Sequence, residues 1–350
     1  MPQRAPAGME YPVPGGATIL SFRGGGFLGY FSALVAKGLK ERKKALGDER
    51  PLGQSFDLIG GTSVGSILAA AIASDIDPSE IAELMRKNGE EIFPKRRYLS
   101  TWPGIFSARF KPEILKRLLT DKFADRTLGG LDRALVIPAI NETTGRPVVF
   151  RSYDPEQAEV RLVDAVLASA AAPLFLPLHR INGERYADGG LIANGPELVA
   201  ASDLASRFRI PVIDQKVLSV GTTKPSPQSP VPPSKSDRWG AFRWIFKSQR
   251  LQRLLLDGQV ALQNELLNNL GPRTVVPLDV ELNDEDSKRV DMVLADAAAR
   301  DVLERAAETC LSNIAPGDRG MIDGMLSRTA RNVVYHSFPG SEALRPGFAS

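Results

Sequence analysis

The residue of this chain best suited to chemistry is Ser63, which lies in the segment Gly61–Gly65. The apolar run Phe56–Ile59 precedes it and an Ala-rich helical pattern follows, so the serine is predicted to sit on a sharp strand-to-helix turn. Gly61 and Gly65 let the chain bend there without Cβ clashes, and the helix N-terminus favours developing negative charge. We therefore predict Ser63 to be the nucleophile of an acyl transfer; the alternative is a helix-capping serine in a glycine-rich turn.

A second glycine-rich turn follows the apolar run Ala17–Phe22 and contains three consecutive glycines, Gly24, Gly25 and Gly26. Backbone amides in such a turn can donate hydrogen bonds to a carbonyl oxygen as it becomes an oxyanion. With Gly29, the same glycines also match the G-x-G-x-x-G pattern of dinucleotide-binding turns. That pattern requires an acidic residue at the end of the second strand, whereas Asp57 lies at its beginning. The oxyanion hole is the stronger interpretation.

A serine needs a base, and three residues compete for that role. The chain contains only two histidines, His179 and His336, each in a context typical of a surface or packing histidine. Asp188 is followed by Gly189 and Gly190, and this turn could bring its carboxylate against a serine. An Asp-Gly-Gly sequence alone is a common turn, and a Ser–Asp–His order through Asp188 and His336 stays open.

Taken together and in this order, these three blocks resemble the patatin-like phospholipases. Two further blocks, Ala168–Pro177 and Gly190–Pro196, agree with that family, and the resemblance covers about residues 18–222. It implies a catalytic dyad in which Ser63 attacks an ester carbonyl and Asp188 is the general base. It also implies a three-layer α/β/α fold with a mostly parallel sheet and additional C-terminal helices. Acyl hydrolysis in this family needs no calcium, so we expect no metal and no cofactor.

Within that family, three segments most resemble the CapV phospholipase effectors of bacterial CBASS antiphage signalling: Gly53–Ser66, Glu90–Pro94 and Leu135–Gly145. The resemblance implies an enzyme that is dormant until it binds a cyclic dinucleotide and then degrades membrane phospholipid. Arg23 departs from the acidic residue often found before the family's glycine turn. Because the chemistry needs only backbone amides there, the departure leaves the predicted oxyanion hole intact.

The elements that must position these residues follow from the alternation of strand-like and helical patterns. Strands alternating with helices predict a mostly parallel sheet covered on both faces. The predicted strands are Thr18–Phe22, Phe56–Ile59, Leu135–Ala139, Val148–Phe150 and Val217–Thr222. The predicted helices are Phe27–Lys44, Ser63–Ser74, one beginning at Asp77–Glu80, Trp239–Leu270 and Asp284–Ile314.

Composition limits the classes of protein to consider. The chain has 350 residues and a formal net charge of +3, too small to indicate DNA or RNA binding by bulk charge. The single cysteine, Cys310, excludes an intrachain disulfide and suits a reducing cytoplasm. We expect a disordered arm over 1–16, a catalytic core over 17–225, and a Pro-rich loop with helices over 226–350 that packs on the core. No apolar signal segment is visible near the N-terminus.

Membrane contact is predicted to be peripheral, at the inner face of the membrane. The longest apolar stretch, Ile67–Ile76, is too short to span a bilayer. Segments 95–106 and 238–247 mix cations with large apolar rings, as interfacial segments do, although either could instead be core, lid or homo-oligomer contact. A constitutive lipid hydrolase and a non-catalytic lipid-binding protein remain the alternative functions.

Overall fold

Buried apolar runs form the strands of a mixed β-sheet. The computed structural model describes residues 16–94, 110, 112–224, 250–271, 273–336 and 345–348. Ten strands are described there: β1 (Ala17–Phe22), β2 (Leu58–Gly61), β3 (Ala134–Asn141), β4 (Arg146–Arg151), β5 (His179–Ile181), β6 (Glu184–Asp188), β7 (Gln215–Val220), β8 (Val275–Leu278), β9 (Val333–His336) and β10 (Arg345–Phe348).

The helices cover both faces of this sheet. In the described part of the chain they are α1 (Gly29–Ala45), α2 (Val64–Ala73), α3 (Pro78–Ile92), α4 (Pro112–Phe123), α5 (Leu162–Ser169), α6 (Gly190–Ala193), α7 (Glu197–Ser206), α8 (Arg250–Leu270), α9 (Asp284–Ser287), α10 (Ala297–Ser312) and α11 (Pro316–Leu326). The predicted beginning of a helix at Asp77–Glu80 is confirmed: Asp77 is the N-cap of α3, and its carboxylate accepts a hydrogen bond from the Ser79 amide.

Alternation along the strands creates two apolar layers. On β1, Leu20 and Phe22 pack into a large cluster with α1, α2, α3, α5 and α10. Ile19, on the opposite face, packs into a smaller cluster that includes Leu204 of α7 and Leu267 of α8. The predicted three-layer α/β/α fold is therefore confirmed, and the C-terminal helices α10 and α11 pack against α1.

The sheet has a parallel centre with an antiparallel flank. The strand order is β5-β6-β3-β2-β1-β7-β8, with β4 paired to β3 outside this path. The pairs β3–β2, β2–β1, β1–β7 and β7–β8 are parallel, whereas β4 and β6 run antiparallel to β3, and β5 antiparallel to β6. Strands β9 and β10 form a separate two-stranded sheet.

Two strands meet end to end on one edge of β3. Strand β4 pairs with β3 over Val136–Asn141 and so occupies one edge along that span. Strand β2 pairs with β3 as far as Val136, and β6 pairs with β3 from Ala139 to Asn141, so both must use the other edge. Because β2 runs parallel and β6 antiparallel to β3, their carboxyl ends face each other across a gap of two residues.

Some predicted elements are corrected by the structure. The predicted helix Asp284–Ile314 is wrong as a single element: α9 ends at Ser287, and a new helix starts after Asp296, whose carboxylate caps the Ala299 amide. Strands β5, β6 and β8 were not predicted. Residues 1–15 of the N-terminal arm and the segments 95–106 and 238–247 lie outside the described residues. Cys310 is buried, and burial raises its pKa to about 12.

No described helix combines the length and the apolar character that crossing a membrane requires.

Candidate active site

Ser63 lies on a strained turn between β2 and α2. Its backbone has φ 53° and ψ −127°, a left-handed conformation that residues other than glycine rarely adopt. The glycines around it are required by close approach, because a Cβ on Gly61 would lie 2.2 Å from the Gly65 carbonyl oxygen, and one on Gly65 would lie 2.3 Å from the Phe22 carbonyl oxygen. The Ser63 amide donates to Ser169 Oγ at 3.0 Å. The turn therefore presents the Ser63 side chain at the end of the sheet.

Asp188, the last residue of β6, meets this serine. Ser63 Oγ donates to Asp188 Oδ2 at 2.6 Å, and the Gly190 amide donates to Asp188 Oδ1 at 2.6 Å. The Asp188 amide itself donates to the Ala171 carbonyl oxygen at 3.0 Å, which holds the end of β6 against the loop after α5. Gly189 leaves room for the turn, since a Cβ there would lie 2.1 Å from the Pro138 carbonyl oxygen. The end-to-end meeting of β2 and β6 thus places hydroxyl and carboxylate in direct contact.

The environment of Asp188 makes its carboxylate more basic. The residue is 6% exposed. Burial raises the pKa of the Asp188 carboxyl from 3.8 to about 6, while the hydrogen bonds from Ser63 and Gly190 oppose that rise. A carboxyl with a pKa near 6 is ionised at neutral pH and still takes up a proton more readily than an ordinary aspartate. Such a perturbed group in a cavity is typical of a general base.

The glycine turn beside Ser63 offers two free donors. The Gly24 amide donates to the Asn194 carbonyl oxygen at 3.0 Å and is therefore already engaged, so its place in the oxyanion hole stays a prediction. The amides of Gly25 and Gly26 make no hydrogen bond to any described residue, and both glycines line the cavity that contains Ser63. Gly26 has φ 56°, the left-handed region that favours glycine.

A buried ionic network anchors the start of this turn. Arg23 forms ion pairs with Glu197 at 3.2 Å and with Asp279 at 3.3 Å, and it donates to Ser219 Oγ at 3.1 Å. All four side chains are buried or nearly so. The arginine that replaces the acidic residue of the family pattern therefore has two carboxylates to balance it, and these come from α7 and from the loop after β8.

His179 is paired with an aspartate rather than with the serine. His179 Nε2 lies 2.9 Å from Asp164 Oδ1, and this hydrogen bond lowers the pKa of the Asp164 carboxyl. His336 lies at the end of β9, outside the main sheet. Among the described residues, no group of three or more His, Cys, Asp or Glu side chains is placed to bind a metal ion.

An apolar cavity of about 300 Å³ opens above the pair. Ser63, Asp188, Gly25 and Gly26 lie on its wall, and the rest of the lining is mainly apolar, including Ile67, Met85, Phe93, Leu115, Phe175 and Leu256. The ring of Phe93 packs edge-on against that of Phe110, with the centroids 5.5 Å apart. The ring of Phe175 stacks on that of Phe110, with the centroids 6.2 Å apart. The cavity is therefore suited to an apolar chain rather than to a charged ligand.

Three features of the site were not predicted from the sequence. They are the carbonyl and carboxamide of Asn194, the Ser169 hydroxyl, and the partners of Arg23. The sequence signal for the first two was present, because both residues fall in the blocks that resemble the family. Nothing in the sequence pairs Arg23 with Glu197, 174 positions away.

Fold and site together define an α/β protein in which a serine on a strained strand-to-helix turn contacts an aspartate beside two unbonded backbone amides. The model of the patatin-like phospholipase family matches residues 20–201. The chain belongs to the patatin-like phospholipase family.

Three curated relatives carry the name cGAMP-activated phospholipase. The one from Pseudomonas aeruginosa is 36% identical over 58% of this chain and 62% of its own length. The one from Escherichia coli is 30% identical over 85% of this chain and 86% of its own length. The one from Vibrio cholerae is 33% identical over 58% of this chain and 63% of its own length. The matches to the first and third thus span less than two thirds of those proteins.

Proposed function

We propose that this protein is a serine acyl hydrolase of membrane phospholipids, activated by a cyclic dinucleotide. The observation that carries the hydrolase is the 2.6 Å hydrogen bond from Ser63 Oγ to Asp188 Oδ2 on the wall of an apolar cavity. Membership of the patatin-like phospholipase family supports the reaction class. The shared name of the three relatives supports activation by a cyclic dinucleotide.

The reaction begins when Asp188 takes the proton of the Ser63 hydroxyl. Ser63 Oγ then bonds to the ester carbonyl carbon, and the π electron pair moves to the carbonyl oxygen. The free amides of Gly25 and Gly26 donate to that oxyanion, and in a low-dielectric cavity each such donor contributes about 3 kcal/mol. Collapse of the intermediate expels the lysophospholipid alcohol, which receives the proton from Asp188. Asp188 then activates water, and attack of that water on acyl-Ser63 releases the fatty acid.

The raised pKa of Asp188 suits this double role. A base with a pKa near 6 is ionised at neutral pH, and its conjugate acid is strong enough to protonate the leaving alcohol. The pairing of His179 with Asp164 supports Asp188, rather than His179, as the proposed base.

Exposed leucines at the mouth of the cavity are the contact that we propose for the membrane. Leu174, Leu191 and Leu255 come from three different segments, all line the cavity, and are 48%, 44% and 52% exposed. An acyl chain must leave the bilayer to reach Ser63, and a rim of leucines that enters the bilayer lets it do so without crossing water. We accordingly place the active enzyme at the inner face of the membrane, bound peripherally.

The decisive experiment is hydrolysis of a fluorogenic phospholipid in vesicles with and without cGAMP, alongside Ser63→Ala. We expect hydrolysis by the wild type that rises with cGAMP, and none by Ser63→Ala. His179→Ala is the matched control and should retain activity. Hydrolysis by the Ser63→Ala protein would refute the assignment of Ser63 as the nucleophile. A wild-type hydrolysis rate that does not change on addition of any of a panel of cyclic dinucleotides would indicate a constitutive hydrolase.

A fluorophosphonate probe separates the hydrolase from a non-catalytic lipid-binding protein. An activated Ser63 reacts with the probe and forms a covalent adduct, and an inert serine does not. Labelling of the wild type but not of Ser63→Ala is the expected result. A wild type that binds vesicles but is neither labelled nor hydrolytic would overturn the enzymatic proposal.

The leucine rim is tested by comparing two substrates. In Leu174→Ser/Leu255→Ser, each substitution removes about 1 kcal/mol of apolar transfer free energy at half exposure, so vesicle hydrolysis should fall more than tenfold. Hydrolysis of a soluble short-chain ester should stay within about twofold. Leu46→Ser, at a leucine of similar exposure (44%) beyond the far end of α1, is the control. Equal losses on both substrates would contradict a role in membrane contact.

A further inference from the structure

Asn194 stands out at the site because its backbone is fully engaged and its side chain is not. Its carbonyl oxygen accepts from the Gly24 amide at 3.0 Å, and its amide donates to Gln259 Oε1 at 3.3 Å. The preceding residue, Ala193, accepts from Thr62 Oγ1 through its carbonyl at 2.7 Å. These bonds fix the residue between the glycine turn and the nucleophile turn. The Asn194 carboxamide makes no hydrogen bond to any described residue.

This carboxamide faces the cavity beside the reacting groups. Asn194 is 6% exposed and lines the cavity together with Ser63 and Asp188. A Cβ built on Gly24 would lie 2.5 Å from Asn194 Oδ1 and 3.2 Å from the Ser63 Cβ, so both residues border the same point. A Cβ on Gly190 would lie 3.2 Å from Asn194 Oδ1 and 2.9 Å from Asp188 Oδ1. The carboxamide therefore lies close to both members of the proposed dyad.

A carboxamide that has no partner within the protein and lies on the wall of the cavity is available to a molecule that enters the cavity. An unsatisfied amide destabilises a folded protein by about 1–3 kcal/mol, and nearly all buried polar side chains have a hydrogen-bond partner. A side chain held by its backbone at a reacting centre, with its donors unused, is the arrangement expected of a group whose partner is the substrate.

We propose that Asn194 is a further catalytic residue, whose carboxamide N–H donates to the ester carbonyl oxygen as it becomes an oxyanion. This inference rests on the proposed hydrolase function. The carboxamide joins the amides of Gly25 and Gly26 as a third donor, in place of the Gly24 amide that is bound to the backbone of Asn194 itself. A neutral donor suits this position, because a cation there would pair with Asp188 and weaken it as a base.

In the reaction, the carboxamide transfers no proton. Ser63 Oγ forms the new bond to the carbonyl carbon, and its proton passes to Asp188. The displaced π pair rests on the oxygen that the Asn194 N–H faces. When that pair re-forms the carbonyl, the C–O bond to the leaving alcohol breaks, and the alcohol takes the proton from Asp188. The hydrogen bond from Asn194 is thus strongest in the transition state and lowers the barrier rather than the KM.

The test compares Asn194→Ala with Asn194→Asp in hydrolysis of a soluble p-nitrophenyl ester at saturating cGAMP. Removal of one oxyanion donor should lower kcat by 10²–10³-fold in Asn194→Ala and leave KM within about threefold. Asn194→Asp keeps the shape but replaces the donor with a negative acceptor, so its kcat should be lower still. A packing role predicts the reverse order, since aspartate fills the same volume. Asn194→Ala activity within threefold of wild type, or Asn194→Asp activity above Asn194→Ala, overturns the proposal.

Two controls keep the outcome tied to the carboxamide. Gln259→Ala removes the acceptor of the Asn194 backbone amide and leaves the carboxamide in place, so its kcat should fall by less than tenfold. Thermal unfolding of each variant shows that it is folded; if Asn194→Ala is not, the nearly isosteric Asn194→Asp alone should show a loss above 10³-fold. Wild-type protein that neither hydrolyses the ester nor reacts with a fluorophosphonate defeats the proposed function, whereas active wild type with active Asn194 variants defeats this inference alone.

Discussion

Replacing Asp188 by asparagine separates two effects of the carboxylate: its cost to the stability of the fold and its proposed role as the base in hydrolysis. Asparagine keeps the size of the side chain, its Oδ1 can accept from the Gly190 amide, and its Nδ2 can donate to Ser63 Oγ. The buried charge disappears. We expect Asp188→Asn to lose hydrolysis and to be more stable than the wild type at neutral pH, because active-site charges are held at the expense of the fold.

The magnitude follows from the pKa of Asp188, which burial raises from 3.8 to about 6 in the folded protein. Between these values the folded state binds more protons than the unfolded state, so wild-type stability falls as the pH rises through this window. At 1.36 kcal/mol per pKa unit, the full loss of stability is about 3 kcal/mol above pH 6. Asparagine does not titrate, so its variant escapes this loss.

The assay is urea unfolding of both proteins from pH 4 to pH 7.5. The free energy of unfolding of Asp188→Asn minus that of the wild type should rise with pH and level off above about pH 6. Asp164→Asn is the control with no slope, because the hydrogen bond from His179 lowers the pKa of Asp164 below its ordinary value of 3.8, and the stability difference of that variant should therefore stay constant from pH 4 to pH 7.5. A stability difference for Asp188→Asn that does not change with pH, or that shrinks toward neutrality, would refute the idea that burial sets this pKa.

Three further predictions concern the same site. The rate of ester hydrolysis should fall on the acid side with an apparent pKa near 6, because Asp188 must be ionised; a limb near pH 4 would contradict this, and a pH–rate profile measures it. Gly65→Ala puts a Cβ 2.3 Å from a carbonyl oxygen of β1 and should cost about 1–3 kcal/mol by urea unfolding, whereas Gly324→Ala in α11, where a Cβ meets nothing within 4 Å, should not destabilise. Arg23→Gln leaves two buried carboxylates without a cation and should cost about 3–5 kcal/mol, with partial recovery in Arg23→Gln/Glu197→Gln; equal stability of the single and double variants in thermal unfolding would argue against the network.

The two residues of the proposed dyad could be found in the sequence because each lies in a local pattern. A serine between glycines after an apolar run signals a strand-to-helix turn, and Ser63 does lie on one. The Asp-Gly-Gly sequence indicates a tight turn at Asp188, although the strand β6 that ends there was not predicted. Pairing these two residues needed the resemblance to a family, since no local rule joins positions 125 apart.

The remainder depends on contacts that no local pattern encodes. Strand β8 forms by pairing with β7 at the edge of the sheet, and the sequence of its four residues alone is too short to indicate a strand. The break between α9 and α10 depends on the Asp296 cap, which competes with a continuous helical pattern. The loss of the Gly24 amide to Asn194 could not be predicted either, because a glycine-rich sequence reveals which residues have flexible backbones but not which amides find acceptors.

The meeting of β2 and β6 on one edge of β3 also has a consequence for the cell while the protein is being synthesised. A nascent chain that has emerged from the ribosome only as far as α5 already contains Ser63 but does not yet contain Asp188. Under the proposed mechanism, hydrolysis of an ester therefore begins only after β6 has docked on β3, and translation products that end before β6 cannot attack the lipids of the cell that makes them.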